Sequence, residues 1–195
     1  MKVFNTKALI QELQDITQKN IEVTEKKLSH LSEEQKSWRP SADAWNVLEI
    51  CAHLNEYARF YHTVFKERIE KTKFRSPRET FTSSPLGRGA WRSMKLGRAN
   101  NVKRKFKSPK NHNPSLVPEL VSGNDIAEFL RNQNEMLEIV DLSRTVSLRK
   151  VKVPISISRI VRLRLGDALM FVIYHNQRHV QQILNLIGHP KFPKK

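Results

Sequence analysis

GDALMFVIYHNQRHVQQILNLIGHP, residues 166–190, is the stretch whose reading decides the fold. Ala168, Val172, His175, His179, Ile183 and Leu186 recur at three- and four-residue steps, which predicts an amphipathic helix over 166–187. Gly188 and Pro190 mark where it stops. Three other segments carry the same period. Residues 6–31 show Leu9, Leu13, Ile16, Val23 and Leu28, with Asn5 or Thr6 as the N-cap. Residues 46–71 show Ile50, His53, Leu54, Tyr57, Tyr61 and Phe65. Residues 124–141 show Ile126, Phe129, Leu130, Gln133, Leu137 and Val140. The β-branched alternation over 151–157 predicts an extended crossing between the last two helices. Four helices with one very long connection, between the second and the third, predict an all-α chain built as a four-helix bundle.

That connection holds the charge. The 195 residues carry 35 Lys and Arg against 19 Asp and Glu, a net of +16. Residues 71–110 alone hold 13 Lys and Arg against Glu79, a net of +12. Prolines and glycines there argue against one long helix, although a short one over 89–101 fits the pattern. The polar, Pro-containing character persists to Gly123, so residues 73–123 are expected to pack over a core with little regular structure. The segment reads either as a solvated basic loop, as a polyanion- or nucleic-acid-binding arm with Phe74, Phe81, Trp91 and Phe106 free to stack, or as a cover that meets a small anionic substrate.

Composition narrows the class further. Hydrophobic residues make up 38% of the chain, and the mean hydropathy is −0.56, which fits a folded chain with no membrane partner. The N-terminal residues turn acidic and amphipathic where a signal peptide carries its apolar core. Cys51 is the only cysteine, which excludes intrachain disulfides and cysteine-cage metal sites and makes a reducing, cytoplasmic setting the expectation.

His175 and His179 stand on adjacent turns of an apolar stripe, and His53 stands on the apolar stripe of another helix. Three inward imidazoles on two helices make a candidate metal site with open positions. Buried neutral histidines satisfied by their neighbours are the alternative. Residue 176 is Asn, so the HExxH pattern of zinc peptidases is absent. Glu49 and Glu56 lie one turn either side of His53 and are candidate bases, or else carboxylates of a helix edge. Cys51 is about 200° round the helix from His53 and is not a candidate ligand.

Two stretches resemble the DinB/YfiT-like family of metal-binding four-helix bundles. One is SWRPSADAWNVLEICAHLNEYARFY, residues 37–61; the other is LRLGDALMFVIYHNQRHVQQIL, residues 163–184. The resemblance implies a single domain over residues 1–195, with a divalent ion, zinc or nickel, held by His53, His175 and His179. It implies that Gln182 is the polar residue one turn beyond the last ligand and that Trp45 is an aromatic at the mouth of the site. It further implies a homodimer and chemistry of the thiol-transferase or hydrolase type on a small-molecule substrate, with a low-molecular-weight thiol as co-substrate. Such thiols commonly carry carboxylates, for which Arg88, Arg92, Lys95 and Arg98 are candidate anion contacts. A bundle with a structural or vestigial metal is the non-catalytic alternative.

Overall fold

The computed structural model describes residues 2–97, 99, 101 and 108–194. Its first helix, α1 (Thr6–Val23), starts where the Asn5 side chain accepts the Ala8 N–H at 2.9 Å. It runs on through a π-helical turn, Thr24–Leu28. The short α2 (Glu33–Ser37) and the long α3 (Val47–Glu70) each begin with a reciprocal capping box, Ser32 with Gln35 and Asn46 with Glu49. Such boxes satisfy two otherwise orphaned N–H groups and fix where a helix starts. After α4 (Pro85–Met94) come α5 (Asp125–Leu142) and α6 (Leu165–Ile187).

The chain is thus mostly helical, as expected, but the described residues hold six helices and four short strands rather than four helices alone. β1 (Val3–Asn5) pairs antiparallel with β2 (Thr80–Thr82), with Phe4 opposite Phe81. β3 (Lys152–Ile155) and β4 (Ser158–Arg164) form a hairpin with an irregular register after Pro154. The expected extended crossing is therefore the first arm of that hairpin.

Among the long helices, α3 packs on α5 and α6, and α1 packs on the same two, while α4 lies along α6. One apolar cluster gathers Leu13, Tyr61, Phe65, Phe81, Leu169 and Tyr174, among others. A second, around Leu28, Ile50, Leu54, Phe129 and Ile183, fills the other end of the α3–α6 contact. Burial of such side chains at about 1.5–3 kcal/mol each is what holds the helices together.

The described part of residues 73–123 holds more regular structure than its composition suggests. β2, α4 and two 3-10 turns, Lys110–His112 and Pro118–Leu120, lie within them. The helix expected over 89–101 begins at Pro85 instead, because Ser84 caps it by accepting the Gly87 N–H at 2.9 Å and Pro suits the first helical turn. Gly87 sits in the helix for a packing reason. A Cβ there would lie 2.1 Å from Cγ of Asp167, at the start of α6. The fully buried Asp167 carboxylate accepts from Ser83 Oγ (2.5 Å), Ser84 N (3.0 Å) and Ser84 Oγ (2.8 Å). Phe81 and Trp91 are buried, and Trp91 Nε1 donates to Ser83 Oγ at 3.1 Å. These aromatics pin the segment to α6 and are not free to stack on bases; Phe106 lies outside the described residues. Among the described residues, no helix is long and apolar enough to cross a membrane.

Candidate metal centre

Helical spacing brings the three histidines together. His175 and His179 project from adjacent turns of α6, and His53 meets them from the second turn of α3. The ring centroids lie 5.1 Å (His53–His175), 4.9 Å (His53–His179) and 4.6 Å (His175–His179) apart. One nitrogen of each falls within 4.8 Å of the others. His53 Nε2 and His175 Nε2 are 3.3 Å apart.

The hydrogen bonds around the cluster fix which nitrogens face it. His53 Nδ1 lies 2.6 Å from the His112 carbonyl oxygen, which can only accept. The proton is therefore on Nδ1, and Nε2 carries a lone pair. His179 Nδ1 likewise donates to Gln182 Oε1 at 2.9 Å, leaving its Nε2 as a second lone pair. His175 Nδ1 is buried with no hydrogen-bond partner among the described residues. Burial pushes all three imidazoles down: His53 to about 4 against the opposing pull of the His112 carbonyl, His175 and His179 well below the ordinary value. Each is neutral near pH 7, the form that binds a cation.

A divalent ion fits this donor set. Two nitrogens at about 2.0–2.1 Å from a tetrahedral ion stand roughly 3.3–3.4 Å apart, which is the His53–His175 spacing. The two tautomers held by a carbonyl and an amide are those a nitrogen-ligated metal requires. The cluster opens into a cavity of about 580 Å³ whose wall includes Trp45, Tyr57, Met94, Arg178 and Gln182. The Trp45 ring lies 5.0 Å from that of His53 and 6.3 Å from that of His179, and its Nε1 donates to Ser115 Oγ at 2.9 Å. Tyr57 packs on His53 and His175, and burial pushes its hydroxyl up to about 12.

The other candidates fall elsewhere. Glu49 is consumed by the α3 cap and by Arg39, whose guanidinium donates to it at 3.0 Å. Glu56 accepts from Arg59 at 3.0 Å and stands 4.0 Å from His112 Nδ1. Neither lines the cavity. Arg88 and Arg92 are exposed on α4, and Lys95 donates to Glu12 at 3.0 Å; none of the three lines the cavity either. Arg98 lies outside the described residues. Cys51 is buried against Ile50 and Leu54 in the second apolar cluster, away from the histidines, and burial pushes its thiol up.

Sequence reasoning missed three neighbours of the site. His112 contributes a backbone oxygen, which no side-chain pattern announces. Tyr57 was visible only as a core position. Arg178 could have been found, because it stands three residues after His175 and thus on nearly the same helix face.

A mostly helical chain with a three-histidine cluster between two of its helices defines a class of candidate metal-binding proteins. A sequence model of the DinB superfamily matches residues 16–183, and the chain belongs to that superfamily. No curated protein and no solved structure matches it.

Proposed function

We propose that the chain is a divalent-metal-dependent enzyme of the thiol-transferase or hydrolase type. In this reading His53, His175 and His179 hold the ion, zinc or nickel, and α1, α3, α5 and α6 form one four-helix bundle spanning residues 1–195, with the basic connection folded over it. The observation that carries the reading is the pair of ring nitrogens 3.3 Å apart, with the lone pairs of His53 and His179 turned inward by His112 and Gln182. A divalent ion on three neutral ligands keeps its full charge and lowers the pKa of a bound thiol or water, which supplies a nucleophile at neutral pH.

The chain's own groups have separate tasks. The His112 carbonyl and Gln182 Oε1 keep protons on the outer nitrogens, so the inner ones stay available. Trp45 and Tyr57 wall the cavity with aromatic surface, which excludes water and strengthens electrostatic contacts inside. A small thiol is the favoured co-substrate, because a cavity of about 580 Å³ suits a molecule of that size.

Metal analysis of protein purified under metal-replete conditions tests the reading. One equivalent of zinc or nickel is expected in the wild type, with a large loss in His53→Ala, His175→Ala and His179→Ala. Thiol consumption should then be followed with a small electrophile. Wild-type protein that binds no metal would overturn the proposal. Metal binding without turnover across thiol–electrophile pairs and activated esters would leave a structural ion instead.

A further inference from the structure

The cavity beside the histidines holds a buried cation in its wall. Arg178 lines it from α6, one turn beyond His175 and next to His179, and is only 7% exposed. Its charge acts on both rings, disfavouring their protonation. Among the described lining residues the one carboxylate is Asp43, which is exposed on the turn before α3. The nearest carboxylates of α3, Glu49 and Glu56, are held by Arg39 and Arg59. The segment that brings Ser108 and Pro109 to the cavity wall adds none, for the sequence has no Asp or Glu from Met94 to Pro118.

An arginine in a half-enclosed cavity, beside a centre that gathers further positive charge when loaded, makes a steep preference for anions. A guanidinium offers five N–H donors in a planar fork, so it can keep a protein contact and still receive a carboxylate. Arg88, Arg92 and Lys95, which the sequence suggested for this task, do not line the cavity; among the described lining residues the one Lys or Arg is Arg178, on the metal-bearing helix itself.

We propose that the cavity selects a substrate bearing a carboxylate, seated on Arg178 while the reacting thiol meets the three-histidine centre. The inference rests on the metal reading above and names the class of molecule that site takes. Arg178 acts as a specificity residue. It fixes the acidic end of the ligand at a set distance from the histidines, so the acid improves binding without taking part in the reaction.

Cobalt-loaded full-length protein provides the test, with 3-mercaptopropionate and 3-mercapto-1-propanol as probes of equal length and different charge. Cobalt absorption reports whether the three-histidine centre is filled and whether the thiol reaches it; calorimetry gives the two affinities. The wild type is expected to bind the acid about tenfold or more tightly than the alcohol, the size of one charge-assisted hydrogen-bonded contact. Arg178→Gln should bring the ratio to about twofold or less, and Arg178→Lys should restore part of it, with the cobalt spectrum unchanged in both. Equal affinities in the wild type overturn the inference and leave the metal reading standing. An acid preference that Arg178→Gln retains also overturns it, because the carboxylate is then meeting the cobalt. Failure of the wild type to take up cobalt overturns the metal reading and the inference with it.

Discussion

Gly87→Ala and Gly89→Ala, two residues apart on α4, should change stability in opposite directions. At Gly89 a Cβ meets nothing within 4 Å. Alanine there gains only helix propensity, about 0.5–1 kcal/mol of added stability. At Gly87 the new Cβ would stand 2.1 Å from Asp167 Cγ and 2.2 Å from its Oδ2. Restoring an ordinary carbon–carbon contact near 3.5 Å requires a movement of about 1.4 Å. A shift of that size carries Ser84 N and Ser84 Oγ, now 3.0 and 2.8 Å from the carboxylate, beyond hydrogen-bonding reach. Two charge-assisted bonds at about 1.5–3 kcal/mol each, less the propensity gain, leave a net loss of about 2–5 kcal/mol. Urea unfolding measures both variants, and equal slopes would confirm that only the midpoint has moved. A Gly87→Ala protein as stable as Gly89→Ala would refute the reasoning, because it would show that α4 does not dock on α6 through this contact.

Gln182→Ala should weaken zinc or cobalt binding about 10- to 100-fold by freeing the His179 ring, which competition with a chromophoric chelator measures. A metal ion present at about 100 times its dissociation constant should stabilise the fold by about 2.7 kcal/mol in a thermal melt, and His175→Ala should abolish the gain. Asn46→Ala, which removes the side chain that accepts Glu49 N–H at 2.9 Å, should cost about 1 kcal/mol in urea. Stability should also fall with acid through the His62–Glu135–Lys66 cluster. Burial holds His62 below its ordinary value despite the Glu135 carboxylate at 2.7 Å. Burial alone would raise Glu135, but hydrogen bonds from Lys66 and His62 outweigh it and hold the carboxyl low. Both folded values lie below the unfolded ones. The two contributions are therefore present above the ordinary His and Glu values and are lost as pH falls, first below about 6.5 and then below about 4.5. Unfolding midpoints across that range should show Glu135→Gln with a shallower decline on the lower, carboxylate limb.

The long helices were legible because their stripes and caps agree. α3 was expected over 46–71 and runs Val47–Glu70; α6 was expected over 166–187 and runs Leu165–Ile187. The convergence of His53 with His175 and His179 followed from the same periodicity, since each shares a face with buried apolar neighbours. Three-residue strands are a different matter. β1 and β2 pair residues 75 to 79 apart in sequence, and VFN and TFT carry no alternation to announce it. α4 was displaced because glycine reads as a breaker, although at Gly87 it is a place where nothing larger fits. Glu49 shows the opposite failure. Its spacing from Asn46 is a capping signal, and reading it as a candidate base passed over the backbone N–H groups that claim the carboxylate first. Attention to the net charge also favoured the cations of the connection over Arg178, a single residue on a helix already in view.

His53 and His175 are 122 residues apart, whereas His175 and His179 are separated by one helical turn. During folding the α6 pair is ready as soon as that helix forms, but the third imidazole arrives only after most of the chain has closed a long loop. Closing such a loop carries an entropy cost that grows as the logarithm of its length. On the proposed metal reading, an ion met early is held by two imidazoles; met late, by three. Refolding experiments in which the metal is added before or after dilution from denaturant would therefore separate the docking of α3 onto α6 from the formation of α6, and turn the centre into a clock for tertiary assembly.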